Sequence, residues 1–219
     1  MRPGDAVRTY KARRRVTPGQ AEAIARLMPR FGGHVPFPPR PSFGQLAPLV
    51  LEIGSGMGEA TAAQAAADPS YDVLAAEVHT PGVGALLRRL EEAGLDNVRV
   101  LEADGLEVLR AQPPGSLEGV RVFFPDPWPK ARHAKRRLVT AAFADLVAER
   151  LRPGGWLHVA TDWTAYAAGV RDVLAQHPRF GPVGTSRGDR PLTRFERQGL
   201  AAGREAHDLR AATLGGGSD

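Results

Sequence analysis

Residues 49–59 read LVLEIGSGMGE, and this stretch decides the fold. Its first half, Leu49–Ile53, is a short apolar run typical of a buried strand, and three glycines follow at alternate positions: Gly54, Gly56 and Gly58. Such a loop between a strand and a helix lets the backbone approach a ligand closely, although a structural tight turn would use the same residues. Glu59 stands where the dinucleotide-binding fingerprint has its third glycine, and this disfavours a nicotinamide enzyme.

Strands and helices alternate outward from this loop. Apolar runs predict four further strands, over residues 71–78, 98–102, 120–124 and 156–160. Apolar residues at helical spacing predict helices over residues 18–29, 59–67, 82–93, 105–110, 135–151 and 164–176. The segment beyond residue 176 has room for two more strands. The alternation predicts an α/β protein with a mostly parallel, doubly wound sheet and helices on both faces.

Composition divides the chain of 219 residues into three parts. Residues 1–48 are basic and rich in proline and glycine, and we expect a partly disordered lead-in that contains one short helix. Residues 49–212 form the α/β domain, since a single domain of ordinary size accommodates this length and a hydrophobic fraction of 42%. Residues 213–219 are predicted to be a flexible tail.

Positive charge is concentrated in two short segments. The formal net charge is +5, yet residues 1–15 alone carry +5 and residues 127–137 carry another +5, so the remainder is acidic. Such clustering is expected where a polyanion touches part of the surface. A solvated tail and a solvated helix face would give the same pattern, so charge alone leaves nucleic-acid binding open.

Several classes of site are excluded by composition. The chain has no cysteine, which rules out disulfides, thiolate metal sites and a cysteine nucleophile. Its six histidines are scattered without ligand-like spacing, and we expect no metal. There is no run of about 18 apolar residues, and no apolar stretch follows the basic start before Pro18. We therefore expect a soluble, cytoplasmic protein without a membrane partner.

Carboxylates follow most of the predicted strands, where ligands bind in sheets of this kind. Glu77 lies 19 residues after Gly58, the spacing of an acid that accepts both hydroxyls of a ribose, although a solvated strand-end acid is the alternative. Glu52 interrupts the first strand and is suited to bind an ammonium group or to pair with an arginine. Asp104 is placed either to accept from the amino group of adenine or to cap a helix.

Residues 123–130, FFPDPWPK, are the most informative stretch for function. Three prolines alternate with Asp126, Trp128 and Lys130, and they fix the backbone after the fourth strand. An acid and an aromatic ring held rigidly at this edge of the sheet suit a planar base. The alternative is a proline-stiffened turn with Trp128 in the core.

These motifs resemble those of the bacterial tRNA (guanine-N7-)-methyltransferase family. The resemblance runs from about Val50 to Leu209 and is most specific at residues 124–137, where FPDPWPK is followed by R-H-x-K-R-R. The other stretches that carry it are residues 51–59, 77–83, 97–99, 161–167 and 193–196. It implies a Rossmann-like class I S-adenosylmethionine-dependent methyltransferase fold. Residues 13–20 match the family's basic lead-in only loosely, and residues 203–209 are more polar than the strand expected there.

The resemblance implies a complete site. The residues expected to bind S-adenosylmethionine are Glu52, Gly54, Gly56, Gly58, Glu77, Asp104 and Asp126, and Asp126 is also the implied catalytic acid. The residues expected to contact tRNA are Lys130, Asp162, Thr193, Arg194, Phe195 and Glu196. The cations expected on the RNA backbone are Arg132, Lys135, Arg136, Arg137, Arg13, Arg14 and Arg15. The implied target is N7 of a guanine in the variable loop (guanine 46), which gives 7-methylguanosine and S-adenosylhomocysteine.

Two other functions fit the same residues in part. A methyltransferase acting on a protein or a small molecule would share the cofactor half of the site, but the two basic segments argue against it. A nucleic-acid-binding module without activity would keep the fold, but the intact loop with Glu77, Asp104 and Asp126 disfavours it. The sequence leaves a monomer and a homodimer equally open.

Overall fold

A computed structural model describes residues 16–33, 43 and 47–215, and within them one sheet of six strands organises the molecule. The strands are β1 (Leu49–Ile53), β2 (Asp72–Ala76), β3 (Val98–Leu101), β4 (Leu117–Phe123), β5 (Leu151–Thr161) and β6 (His207–Ala212). Their spatial order is β3-β2-β1-β4-β5-β6, with β6 antiparallel to β5 and the other neighbours parallel. The predicted mostly parallel, doubly wound α/β sheet is confirmed.

Helices cover both faces of this sheet. They are α1 (Pro18–Phe31), α2 (Glu59–Ala67), α3 (Thr80–Glu92), α4 (Gly105–Ala111), α5 (Ala141–Arg150), α6 (Thr164–Ala175) and α7 (Arg194–Ala201). On one face, Leu51 and Leu74 pack into an apolar core with α4, α5 and α6, whereas Val73 and Val100 pack on the other face with α1, α2 and α3. Since successive strand residues point to opposite faces, strands buried on both sides read as continuous apolar runs.

The topology places a crevice between β1 and β4. The chain winds from β1 outward to β2 and β3, and then returns to add β4 on the other side of β1. The loops after β1 and β4 therefore leave the sheet in opposite directions, and a ligand-sized gap opens between them. The glycine loop follows β1 and the proline-rich stretch follows β4, so the topology brings the two motifs together.

The helix predicted over residues 135–151 was wrong over its first six residues. A 3₁₀ turn, Ala131–Arg136, is followed by an extended link, and α5 begins only at Ala141, where the Thr140 hydroxyl accepts from the Phe143 amide. Tertiary contacts hold the link out of the helix, because the Tyr166 hydroxyl accepts from the Val139 amide at 3.0 Å. Apolar residues keep helical spacing through Leu138 and Val139, but the Val139 amide bonds the Tyr166 side chain instead of a carbonyl of its own helix.

The segment beyond α6 also differs from expectation. Of the two strands allowed for there, the described residues contain only β6, and α7 occupies the intervening stretch. The sequence of α7 is amphipathic, but the helix has only eight residues, and its apolar Phe195 and Leu200 are exposed rather than packed in the core. The predicted helix near the start of the chain is confirmed as α1, which packs against α3. Most of the predicted lead-in and of the tail, residues 1–15 and 216–219 among them, lies outside the described residues.

Replacing glycine by alanine is expected to change the free energy of unfolding in opposite directions at two helical positions. A Cβ on Gly82 in α3 would lie 2.3 Å from the Gly56 carbonyl oxygen, whereas a Cβ on Gly169 in α6 would meet nothing within 4 Å. We expect Gly169→Ala to raise the free energy of unfolding by about 0.5–1 kcal/mol, through helix propensity. We expect Gly82→Ala to lower it by about 1–3 kcal/mol, because the glycine loop must move.

Urea unfolding followed by circular dichroism at 222 nm is the measurement for both variants. Gly169→Ala serves as the matched control, since both substitutions add one methyl group to a helix. Equal stabilisation by the two substitutions would contradict the packing of α3 against the glycine loop.

Candidate active site

The glycine loop needs glycine at three positions. Gly54, Gly56 and Gly58 have φ angles of 78°, 57° and 78°, a left-handed region that other residues adopt only with strain. At Gly58 a side chain is excluded by packing as well, because a Cβ there would lie 2.9 Å from the Leu86 Cα. The loop turns sharply from β1 into α2, and the Gly54 amide donates to the Ala76 carbonyl at 2.8 Å, which ties the start of the turn to the neighbouring strand.

Glu77 braces this loop from the end of β2. Its carboxylate accepts hydrogen bonds from the Gly56 amide at 2.6 Å and from the His79 amide at 2.8 Å. Each carboxylate oxygen has a second lone pair for a further donor. The side chain is buried yet lies on the walls of both cavities described below. The alternative of a solvated strand-end acid is therefore wrong.

Two adjoining cavities fill the crevice between β1 and β4. The smaller holds about 220 Å³ and is bounded on its far side by Asp104, Leu106, Trp128 and Arg136. The larger holds about 760 Å³ and extends over the glycine loop to the start of α7. The residues that line both are Gly54, Glu77, Phe123, Phe124 and Asp126. Asp126 is solvent-exposed at this junction.

Glu52 lies at the floor of the larger cavity and is only 1% exposed. One carboxylate oxygen accepts from the Thr61 hydroxyl at 3.0 Å, and Oε2 has no hydrogen-bond partner among the described residues. Burial raises the pKa of Glu52, and the charge of Arg121, opposite it on β4, opposes that shift. A buried carboxylate oxygen without a donor is costly, and it marks a place for a ligand with an N–H or O–H group.

Asp104 caps a helix and also lies on a cavity wall. Its Oδ1 accepts from the Leu106 amide at 2.8 Å and so caps α4. The same residue lines the smaller cavity. It follows β3, whereas Glu77 follows the neighbouring strand β2. Capping and ligand binding are compatible here, because a carboxylate offers about four acceptor positions.

The proline-rich stretch carries backbone strain at two residues that are not glycine. Phe124 and Trp128 have φ angles of 51° and 45°, a conformation that costs about 1–3 kcal/mol each and clusters at functional sites. The Phe124 amide donates to the Ala160 carbonyl at 2.7 Å, and Arg137 Nε donates to the Pro127 carbonyl at 3.0 Å. These contacts hold the strained backbone in place.

Trp128 is half-buried on the wall of the smaller cavity, so the alternative that placed it in the core is wrong. The Arg136 guanidinium lies over its ring at 4.9 Å, and the His133 ring meets it edge-on at 5.8 Å. Arg136 and Arg137 thus turn towards the protein, whereas Arg132 and Lys135 are exposed. The basic run therefore divides into two cations that contact the protein and three that face solvent, since Lys130 is exposed as well. The three arginines at positions 13–15 lie outside the described residues.

The residues that the resemblance implied for tRNA are not all brought together. Arg194 and the 61%-exposed Phe195 line the larger cavity with Thr193, whose hydroxyl caps α7. Three others lie off the described walls of both cavities: Lys130, Asp162 and Glu196. Lys130 is exposed where the 3₁₀ turn begins, and Asp162 forms an ion pair with Arg204 at 2.8 Å.

A buried ionic cluster beneath α7 was missed by sequence reasoning. Arg190 lies between the carboxylates of Glu196 and Asp208, and Asp208 also bonds His158 at 2.8 Å. Burial raises the pKa of Asp208, but hydrogen bonds from Arg190 and His158 outweigh it and lower the pKa to about 2. For His158, whose charged form is the protonated one, burial acts in the opposite direction and lowers the pKa. The only available signal was the polar character of residues 203–209, which the sequence analysis treated as a departure.

Comparison with known proteins connects this geometry to a family. A family model described as a putative methyltransferase matches residues 46–209. The chain is 51% identical over 215 residues to the tRNA (guanine-N(7)-)-methyltransferase of Streptomyces avermitilis, with 93% of this chain and 74% of that protein covered. It is 47% identical over 218 residues to the enzyme of the same name from Nitrosospira multiformis, with 94% of each covered. The chain belongs to the bacterial tRNA (guanine-N7-)-methyltransferase family.

The fold agrees with this membership. The solved structure of the 16S rRNA methyltransferase KamB superposes with a TM-score of 0.57 at 17% identity, over 78% of this chain and 90% of that one. At that identity the likeness concerns the fold alone, which is the Rossmann-like class I methyltransferase fold. As a member of that family, the protein is a methyltransferase rather than a binding module without activity. Among the described residues, no helix is long and apolar enough to cross a membrane.

The charge of Asp208 makes stability depend on pH. Because its pKa of about 2 lies below the unfolded value of about 3.9, the stabilisation is complete above the unfolded value and is lost as pH falls towards 2. We expect Asp208→Asn to be less stable than the parent near neutral pH, and the difference to shrink by about 2–3 kcal/mol towards pH 2.

Urea unfolding of both proteins at a series of pH values is the measurement. Asp145→Asn is the control, because that carboxylate pairs with His177 at an exposed surface. A difference between Asp208→Asn and the parent that stays constant with pH would contradict the assignment.

Proposed function

We propose that this methyltransferase transfers a methyl group from S-adenosylmethionine to N7 of guanine 46 in the variable loop of tRNA. The products are 7-methylguanosine and S-adenosylhomocysteine. The observation that carries the proposal is Asp126, held by the strained backbone between Phe124 and Trp128 where the two cavities meet. The names of the relatives support guanine N7 as the target.

The cavities fit the parts of S-adenosylmethionine. The unpartnered Oε2 of Glu52 suits the ammonium group of the methionine part, and Glu77 has free acceptor positions for the ribose hydroxyls. Asp104 and the apolar wall near Leu106 suit the adenine ring in the smaller cavity. Gly54, Gly56 and Gly58 let the backbone approach the cofactor without side chains in between. The cofactor supplies an electrophilic methyl group on a sulfonium centre.

The protein's chemical task is alignment rather than deprotonation. Guanine N7 carries an exposed lone pair, so attack on the methyl group needs no general base. Asp126 stabilises the positive charge that develops on the purine, or accepts from its N1–H and N2–H groups, and both actions place a carboxylate beside the base. Phe195, exposed at the mouth of the larger cavity, offers a ring on which the base stacks. Thr193 and Arg194 begin α7 beside it and contact the adjacent nucleotide.

The tRNA backbone is bound by cations that face solvent. Arg132, Lys135 and Lys130 are exposed beside the proline-rich stretch, and Arg194 is exposed on the rim of the larger cavity. Asp162 and the arginines at positions 13–15 extend the proposed contact surface. Arg136 and Arg137 contribute through the fold instead, because their guanidinium groups contact Trp128, Pro127 and Tyr166. A tRNA substrate places the enzyme in the cytoplasm.

Labelled methyl transfer to unmodified tRNA tests the activity and the role of Asp126 together. We expect 7-methylguanosine in nuclease digests analysed by mass spectrometry, and none when guanine 46 is replaced by adenine. Asp126→Ala is expected to lower kcat by about 10²–10³, the usual effect of removing one electrostatic partner of a transition state. Asp172→Ala, at an exposed position in α6, is the matched control and keeps parental turnover.

Two outcomes would contradict the proposal in different ways. Near-parental turnover in Asp126→Ala would remove that residue from the site. Binding of S-adenosylmethionine without methylation of tRNA would leave the cofactor site standing and require a different substrate.

The division of the basic run predicts different effects for neighbouring cations. We expect Arg132→Ala and Lys135→Ala each to weaken tRNA binding and to reduce the slope of log affinity against log salt by about 0.7–0.9. Arg137→Ala is expected to lower thermal stability instead, because it leaves the Pro127 carbonyl without its donor. Filter binding between low and moderate salt, with a melting curve for each variant, measures both. Equal salt slopes for the parent, Arg132→Ala and Lys135→Ala would refute the assignment.

A further inference from the structure

Arg190 is a fully enclosed charged side chain beneath α7. Its side chain is 0% exposed, and it donates hydrogen bonds to two carboxylates at once. Nε and Nη2 donate to Asp208 at 2.7 Å each, and Nη1 donates to Glu196 at 2.6 Å. A planar guanidinium with fixed donor directions can hold two carboxylates in one relative geometry.

Both carboxylates are themselves fixed to other elements. Asp208 lies on β6 and bonds His158 of β5, the neighbouring strand. Glu196 lies on α7, and its two oxygens also accept from Arg187 at 2.6 and 3.0 Å. Arg190 therefore ties the first turn of α7 to the edge of the sheet.

The face of the guanidinium contacts the strained end of β4. It lies 5.2 Å from the centre of the Phe124 ring and 5.8 Å from that of Phe123. These two phenylalanines line both cavities, and Phe124 holds one of the two positive φ angles among residues other than glycine in the described chain. Asp126 follows two residues later.

We infer that Arg190 is a positioning residue for methyl transfer, because it fixes the Phe123–Phe124 wall against the α7 wall of the larger cavity. The inference rests on the function proposed above. Arg190 does not line the cavities among the described residues, so it acts through its neighbours. It sets the separation of the Phe123–Phe124 wall from the α7 wall, between which the target base is proposed to lie, and through Phe124 it sets the direction of Asp126.

This inference gives Glu196 a different role from the one that the resemblance implied. Glu196 is buried, and both of its oxygens accept from guanidinium groups. A carboxylate so occupied has little capacity left for the N–H groups of a guanine. Glu196 therefore acts as an anchor for Arg190, whereas Thr193, Arg194 and Phe195 remain beside the substrate.

Steady-state kinetics of Arg190→Lys and Glu196→Gln test the inference. In Arg190→Lys the positive charge is kept, but the planar set of guanidinium donors that reaches both carboxylates is lost. In Glu196→Gln the shape of the side chain is kept, but its negative charge and therefore its ion pairs are lost. We expect kcat to fall by about 10²-fold in Arg190→Lys, as for a reacting group misplaced by about 1 Å. The affinity for S-adenosylmethionine, measured by calorimetry, is expected to stay within about threefold of the parent in both variants.

Glu118→Gln is the matched control for a loss of stability alone. Glu118 is a buried carboxylate that pairs with Arg152, but it lies at the opposite end of β4 from the site. All proteins are assayed below their melting temperatures. We expect Glu118→Gln to lower the melting temperature and to keep the parental kcat. If all three variants lose activity only in proportion to stability, Arg190 has no positioning role.

A tRNA carrying inosine in place of the target guanine separates positioning from direct contact. Inosine lacks the 2-amino group, so kcat/KM falls with inosine for any enzyme that accepts a hydrogen bond from that group. If Glu196 is an anchor, the guanine-to-inosine ratio of kcat/KM stays the same in Glu196→Gln as in the parent. If the ratio collapses towards one in Glu196→Gln but not in Arg190→Lys, Glu196 itself contacts the base and the inference fails. Absence of 7-methylguanosine with the parent enzyme would instead refute the proposed function.

Discussion

Left-handed backbone at the ends of two neighbouring strands is the constraint on which the site depends. β1 runs into Gly54 with a φ angle of 78°, and β4 runs into Phe124 with a φ angle of 51°. Both turns occur where the winding of the sheet reverses, so they open the crevice from its two sides. At β1 the conformation costs little because the residue is glycine. At β4 a phenylalanine adopts it, and the neighbouring contacts have to offset the strain.

Those contacts explain why the second half of the sheet is built differently from the first. Around β1, β2 and β3 both faces carry apolar layers, as expected for parallel strands under helices. Around β5 and β6 one face carries His158 and Asp208 instead, with Arg190 above them. A buried ionic cluster is a poor source of stability, since desolvation consumes most of the attraction. Its directional hydrogen bonds do fix geometry, which is what the strained end of β4 requires.

The parts that sequence predicted well are those with local causes. The apolar run of β1 and the three glycines specify their own conformation, and the structure has them as expected. The left-handed backbone at Phe124 and Trp128 was not predicted, because contacts from other parts of the chain hold it. The start of α5 was misplaced because the Tyr166 hydroxyl, from a helix 27 positions away, takes the Val139 amide. Arg190 was missed because a single arginine in a polar segment has no pattern around it. Its importance arises from Glu196 and Asp208, which only the fold brings to it.

In the proposed reaction the shared walls of the two cavities lie beside both cofactor and substrate, and we expect the binding of the two to be coupled. Glu77, Phe123, Phe124 and Asp126 face both spaces, so a ligand that shifts one wall changes the other space as well. Coupling between two sites is reciprocal, and each ligand alters the affinity of the other by the same factor. In the proposed reaction a positive charge passes from the cofactor to the purine, and Asp126, on the wall that both cavities share, would lie beside either carrier of that charge. A carboxylate at the junction therefore remains beside a positive charge before and after transfer, which is why it belongs at the junction rather than deep in either cavity.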